Sequence, residues 1–137
     1  MYRFILLISL LACAHGMTRA QVKKTMGLLK NQCMPKNSVT EDQVAKIGEG
    51  FFPDDKNVMC YVTCIYKNMQ VIKNDRLDEA LVTKQVDILY PPDLKVATKN
   101  AVVICIHHQD KYNDVCEGVY AAVKCLYETD PPSFIFP

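Results

Sequence analysis

A chain of 137 residues, half of them apolar and 23% charged, has the composition of one globular domain and excludes a disordered or low-complexity chain. Its formal charge of +1 sets 16 Lys and Arg against 15 Asp and Glu, so no nucleic acid and no acidic surface is an expected partner.

The chain opens on Tyr2-Arg3, an apolar run from Phe4 to Ala14 and the small-residue stretch Ala12-Cys13-Ala14-His15-Gly16, which reads as a secretory signal peptide over residues 1–16. Cleavage is expected after Gly16, with Ala14 and Ala20 as alternatives. The run is too short to span a bilayer, so residues 17–137 form a single secreted domain without a membrane anchor. Removal of the leader takes Arg3 and Cys13 with it. The charge then balances at 15 against 15, and the seven cysteines become six: Cys33, Cys60, Cys64, Cys105, Cys116 and Cys125.

The mature chain reads as all-α. Thr18 caps a first helix to about Gln32, with Val22, Met26, Leu29 and Cys33 on one face, and Pro35 ends it. Thr40-Glu41-Asp42-Gln43 has the form of a capping box, opening a short helix with Val44 and Ile47 inward, stopped by Gly48 and Gly50. The apolar loop Phe51-Phe52-Pro53 leads to a third helix, Asn57 to Met69, with Asn57 as N-cap. Cys60 and Cys64 lie four apart on it, so both thiols share one face and each can reach a different neighbour. After the polar turn Asn74-Asp75 a fourth helix is expected from Asp78 to Leu89, with Leu81, Val82, Val86 and Leu89 apolar, stopped by Tyr90-Pro91-Pro92. Pro92 suits the first turn of a fifth helix, which runs to about Gln109 and buries Ala97, Ala101, Val102, Ile104 and Cys105. Asp114 with Glu117 starts a sixth, whose apolar stripe is Val115, Val119, Ala122, Val123 and Leu126. No strand is expected, because strict alternation is nowhere sustained.

An even number of cysteines in a secreted domain means three disulfides. Six cysteines allow 15 pairings. Cys60 with Cys64 would merely strap adjacent turns of one helix, so the useful bridges are long-range. The residues carry little chemistry of their own. His107 and His108 are adjacent, about 100° apart on a helix, and cannot chelate one metal from the same face. There is no CxxC pair, GxSxG, HExxH or P-loop string, so neither an enzyme nor a cofactor nor a metal is expected. Read from its residues alone, this is a secreted helical disulfide scaffold.

The spacing Cys33, 26 residues, Cys60, 3, Cys64, 40, Cys105, 10, Cys116, 8, Cys125 closely resembles that of the six-cysteine insect odorant-binding proteins of the pheromone-binding and general-odorant-binding type. The strings Met17-Thr18, Met59-Cys60-Tyr61, Tyr90-Pro91-Pro92 and Phe134-Ile135-Phe136-Pro137 look most like its LUSH-like subgroup. The resemblance covers the whole mature chain. It implies a compact bundle of six helices around an apolar cavity, with bridges Cys33–Cys64, Cys60–Cys116 and Cys105–Cys125. It also implies a carrier function without turnover: a small hydrophobic volatile is held in the cavity and delivered through sensillar lymph to an olfactory receptor, by a monomer or weak homodimer. Residues matching cavity-lining positions of relatives are Leu29, Tyr66, Met69, Val71, Leu77, Leu89, Val123, Leu126, Phe134, Ile135 and Phe136. Where the alcohol-binding relative has small hydroxyl side chains after its third cysteine, this chain has Tyr66 and Val71. A single phenol and a larger apolar wall suit a medium-length or aromatic volatile bearing one hydrogen-bonding group.

The tail completes the expectation. Asp130-Pro131-Pro132 cannot continue a helix, and Phe134, Ile135 and Phe136 are too apolar to remain in water, so they fold back as a wall or lid of the cavity. A lid held by carboxylates or by His107 and His108 would loosen as pH falls. The competing readings are a disulfide-framed toxin or inhibitor, and a non-olfactory carrier of a lipid or hormone.

Overall fold

Thr18 accepts from the backbone N–H of Gln21 while Gln21 Oε1 accepts from the Thr18 N–H, a closed capping box that starts α1, Arg19–Lys36. The computed structural model describes residues 16–137, so the leader, apart from Gly16, lies outside the described residues. Pro35 does not end α1 as the sequence suggested; it sits in the last turn, where its missing N–H costs at most the one bond back to the carbonyl of exposed Asn31. A second capping box, Thr40 with Gln43, opens α2, Glu41–Val44, and a 3₁₀ turn over Ile47–Glu49 follows. Gly50 closes that turn at φ 94°, and a Cβ there would meet the Tyr127 ring at 2.2 Å, so only glycine fits.

Helix α3, the pivot of the fold because it carries both Cys60 and Cys64, spans Lys56–Asn68. Its cap is Asp55, whose carboxylate accepts from the N–H groups of Asn57 and Val58, so Asn57 is a first-turn residue and not the N-cap. Helix α4 is Glu79–Leu89, capped by Asp78, and α5 is Pro92–Cys105. The expected continuation of α5 to Gln109 is instead a 3₁₀ segment, Ile106–Lys111. Helix α6, Val115–Thr129, is capped by Asp114 as expected, and a 3₁₀ turn over Pro131–Ser133 leads to the tail.

The all-helical expectation misses one element. Ile72–Lys73 (β1) pairs antiparallel with Arg76–Leu77 (β2) across Asn74-Asp75, both at positive φ, as a two-residue hairpin turn of the I′ kind requires. So short a ladder is not stable alone. Gln109 supports it: its side-chain amide accepts from the Leu77 N–H at 2.9 Å and donates to the Leu77 carbonyl at 3.0 Å, both buried.

Helix α3 lies at the centre, packed on α1 and α6, while α5 packs on α4 and α6. Three disulfides staple this arrangement: Cys33–Cys64 joins α1 to α3, Cys60–Cys116 joins α3 to α6, and Cys105–Cys125 joins α5 to α6. Each matches the expected pairing, and the i,i+4 placement on α3 is why one helix anchors two others. Lys56 bridges Asp114 and Glu117 beside the second staple, and its hydrogen bond holds the Asp114 carboxyl below the usual range. The core is continuous from Val22 and Met26 through Val58, Val62 and Ile65 to Val119 and Val123. Ile104 is not part of it: it stands 60% exposed, and Thr98 is buried on α5 instead, bonding back to the Leu94 carbonyl. Among the described residues, no helix is long and apolar enough to cross a membrane.

Candidate functional site

The tail does fold back. After α6 the prolines turn the chain across the bundle, and Phe134, Ile135 and Phe136 are 6%, 2% and 2% exposed. The Phe136 ring lies nearly parallel to Tyr66 and Phe134 and edge-on to Tyr61, with centroids 6.1 to 6.4 Å apart. Phe134 in turn meets Tyr127 edge-on at 5.5 Å and packs against Phe52, which gives the expected apolar loop its purpose. These contacts place the last apolar residues inside the domain, against the pivot helix.

One polar side chain fastens the tail. Arg19, the first residue of α1, donates from its two terminal guanidinium nitrogens to the carbonyls of Pro132 and Phe134, each at 2.6 Å. A cation at a helix N-terminus opposes the helix dipole, and α1 has no acidic residue in its first turn to offset it. Its compensation is on the tail, 113 and 115 residues away. Sequence reading missed Arg19, and only its misplaced sign at the start of α1 signalled it.

Beside the tail lies an interior cavity where Tyr66, Leu77 and Leu126 meet Val82, Val102, Cys105, Ile106 and Ala122, with a wholly apolar exposed wall. Its free volume is about 10 Å³, the scale of a single water and far below any odorant. Of the residues expected to bind ligand, Tyr66, Leu77 and Leu126 reach this cavity. Val71 and Val123 are fully buried core, Leu29 and Met69 pack half-buried on that core, and Leu89 is half-buried outside it, at the end of α4, where its carbonyl accepts from Met17 N–H. Val82, Val102, Ile106 and Ala122 were read as ordinary apolar residues or not singled out, since a cavity wall and a core face carry the same periodicity. Phe134, Ile135 and Phe136 occupy the interior next to this space and do not line an open chamber.

Electrostatically the interior is neutral. Burial pushes the Tyr61 and Tyr66 phenols up well beyond the usual range and that of Tyr90 up to about 12, so all three are uncharged donors at neutral pH. The Tyr61 side chain is fully buried, and its hydroxyl meets no hydrogen-bond partner among the described residues. His107 and His108 are exposed; His107 Nδ1 lies 3.1 Å from an Asp110 carboxylate oxygen. No group of three metal-type side chains occurs among the described residues. A larger concavity of about 630 Å³ lies outside, between Phe52, Asp54, His108, Glu117, Lys124 and Glu128. It is open to solvent and ringed with charge, so it offers an apolar molecule little burial.

The fold is similar to that of the solved structure of Apis mellifera odorant binding protein 5, 34% identical, with a TM-score of 0.80 over 89% of this chain and 99% of that one. Odorant Binding Protein 4 of Chrysopa pallens is 36% identical, with a TM-score of 0.78 over 88% and 99%. General odorant-binding protein 72 of Anopheles gambiae is 28% identical over 89% of this chain and the whole of its own length. Residues 15–129 match the model of the PBP/GOBP family, and the chain belongs to that family of insect odorant-binding proteins.

Proposed function

We propose that the mature protein, residues 17–137, is a secreted carrier that takes one small hydrophobic volatile into its interior and gives it up to an olfactory receptor, with no covalent chemistry. The observation that carries this reading is the apolar tail tucked beside an apolar cavity and latched by a single side chain. A ligand enters when the tail shifts, and the space it gains is the volume of the Phe136 ring joined to the small chamber at Tyr66, Leu77 and Leu126, with Phe134 and Ile135 left as part of its wall. Leu29, Met69, Val71 and Val123, which belong to the core or pack on it, form the wall or backing of that enlarged site, whereas Leu89 lies apart from it.

Burying about ten ligand carbons at roughly 0.8 kcal/mol each contributes about 8 kcal/mol, which sets a micromolar ceiling from which the cost of moving the tail is subtracted. Acid-triggered release belongs to the same proposal. The latch itself does not titrate, because a guanidinium does not deprotonate in a protein.

The test is displacement of an apolar fluorescent probe by volatile ketones, aldehydes, esters and aromatics, at neutral and acidic pH, alongside native mass measurement of ligand copurified from the source tissue. Micromolar displacement is expected from oxidised protein. No displacement by any such compound sinks the carrier reading, and an affinity independent of pH sinks acid release alone.

A further inference from the structure

Three rings box the Phe136 side chain, and one of them, Tyr61, holds a hydroxyl that nothing pairs among the described residues. Buried polar groups are nearly always satisfied, and leaving one orphaned destabilises the fold by its full desolvation penalty. Phenylalanine at position 61 would keep the edge-on contact with Phe136 without that penalty. Tyr61 is thus a buried donor beside the Phe136 ring, available to an acceptor on a bound molecule. Phe136 cannot be that acceptor, since a phenyl ring carries neither donor nor conventional acceptor.

We infer that Tyr61 is the specificity-determining residue of the ligand site, and that the favoured ligand is a small aromatic ring bearing a hydrogen-bond acceptor, which replaces Phe136 among Tyr61, Tyr66 and Phe134. The ring requirement follows from the box: near-parallel faces on two sides and an edge contact on the third suit a flat π-system, whose offset-stacked and edge-to-face pairings are favourable beyond area alone. The acceptor requirement follows from the donor. The Tyr61 phenol stays protonated at neutral pH because burial and the nearby Glu41 carboxylate both disfavour its anion. A carbonyl or ether oxygen on the ligand accepts that proton's hydrogen bond, so binding removes the orphan that the empty form tolerates. Tyr66 borders both the Phe136 ring and the small apolar chamber, which leaves room for a short alkyl substituent on the same ligand.

This assignment rests on the carrier reading above and is tested separately from it. The oxidised full mature chain, its Tyr61→Phe variant and its Phe136→Ala variant are titrated with acetophenone and with ethylbenzene, a pair matched in ring and size that differs in the carbonyl. Cyclohexyl methyl ketone, which keeps the carbonyl and lacks the aromatic ring, is the third ligand. In Tyr61→Phe the Kd for acetophenone is expected to rise about tenfold while that for ethylbenzene stays within twofold, and the melting temperature is expected not to fall. Phe136→Ala is expected to tighten both aromatics, because the competing ring is gone. Cyclohexyl methyl ketone is expected to bind the wild type more weakly than acetophenone. If Tyr61→Phe leaves the acetophenone affinity unchanged, or weakens both aromatics equally, the assignment is overturned. A clear fall in melting temperature overturns its premise, since the hydroxyl would then be satisfied in the empty protein. If the wild type binds no apolar probe at all, the carrier reading fails first.

Discussion

Replacing Arg19 by methionine keeps the aliphatic stem and removes both hydrogen bonds to the tail, at the Pro132 and Phe134 carbonyls. A hydrogen bond to a charged group contributes about 1.5–3 kcal/mol when buried, but here one is exposed and the other half-buried, so about 2 kcal/mol for the pair is a reasonable magnitude. Opposing this, removing a cation from the first turn of α1 relieves an unfavourable dipole interaction of roughly 0.3–1 kcal/mol. The lost hydrogen bonds act on tail opening, whose population is expected to rise about 30-fold for 2 kcal/mol. Both terms act on global unfolding, where the relieved dipole offsets only part of the loss, so the melting temperature is expected to fall by about 3–8 °C. Hydrogen exchange followed by mass spectrometry on the peptide covering residues 130–137 reads the first quantity, and calorimetry reads the second. Ligand association is expected to quicken with tail opening, because entry requires it. Unchanged exchange of the tail peptide would refute the latch, and equal acceleration of every peptide would show that Arg19 supports the whole fold and not the tail.

Removing the Cys60–Cys116 bridge with a double serine substitution opens a loop whose ends are 56 residues apart, and about 4 kcal/mol of stability is expected to go with it; a loss under 1 kcal/mol by urea titration would contradict the pivot role of α3. Gly50→Ala places a Cβ into the Tyr127 ring at a positive φ and disturbs the hydrogen bond from the Tyr127 hydroxyl to the Glu49 carbonyl, for a loss of about 2 kcal/mol and roughly 8 °C in melting temperature. An unaltered melting curve would show that Tyr127 simply swings aside. Alkali supplies a sign-definite test. Burial raises the phenols of Tyr61, Tyr66, Tyr90 and Tyr120, so the folded state retains protons that the unfolded state releases near pH 10. Stability is therefore expected to be level below about pH 10 and to fall as pH rises towards 12, with phenolate absorbance appearing together with loss of helix. Full phenolate absorbance at pH 10.5 with the helices intact would refute that burial.

What this sequence determined by itself is what local spacing can encode. Thr18 with Gln21, Thr40 with Gln43, Asp78 and Asp114 each bond a backbone N–H within about one turn, so the starts of four helices are legible without any tertiary knowledge. The stripe Val22, Met26 and Cys33 and the i,i+4 pair Cys60 and Cys64 are equally local, and the cysteine spacing carried the family and its bridges. Everything that depends on how one helix is rolled against another came from the tertiary structure. Ile104 was expected inside and is exposed, while Thr98 is buried, because α5 turns to both α4 and α6 and its apolar stripe is too broad to say which edge faces in. The hairpin at Asn74-Asp75 escaped notice because two-residue strands have no periodicity, and its support comes from Gln109, 32 residues away from Leu77. Nor could periodicity distinguish the cavity walls Val82, Val102 and Ala122 from core, since an apolar side chain is selected in the same way whether it faces a neighbour or a space. The Arg19 latch and the unpaired Tyr61 hydroxyl lie furthest from the sequence, because the first joins residues more than a hundred positions apart and the second is defined by a partner the fold does not provide.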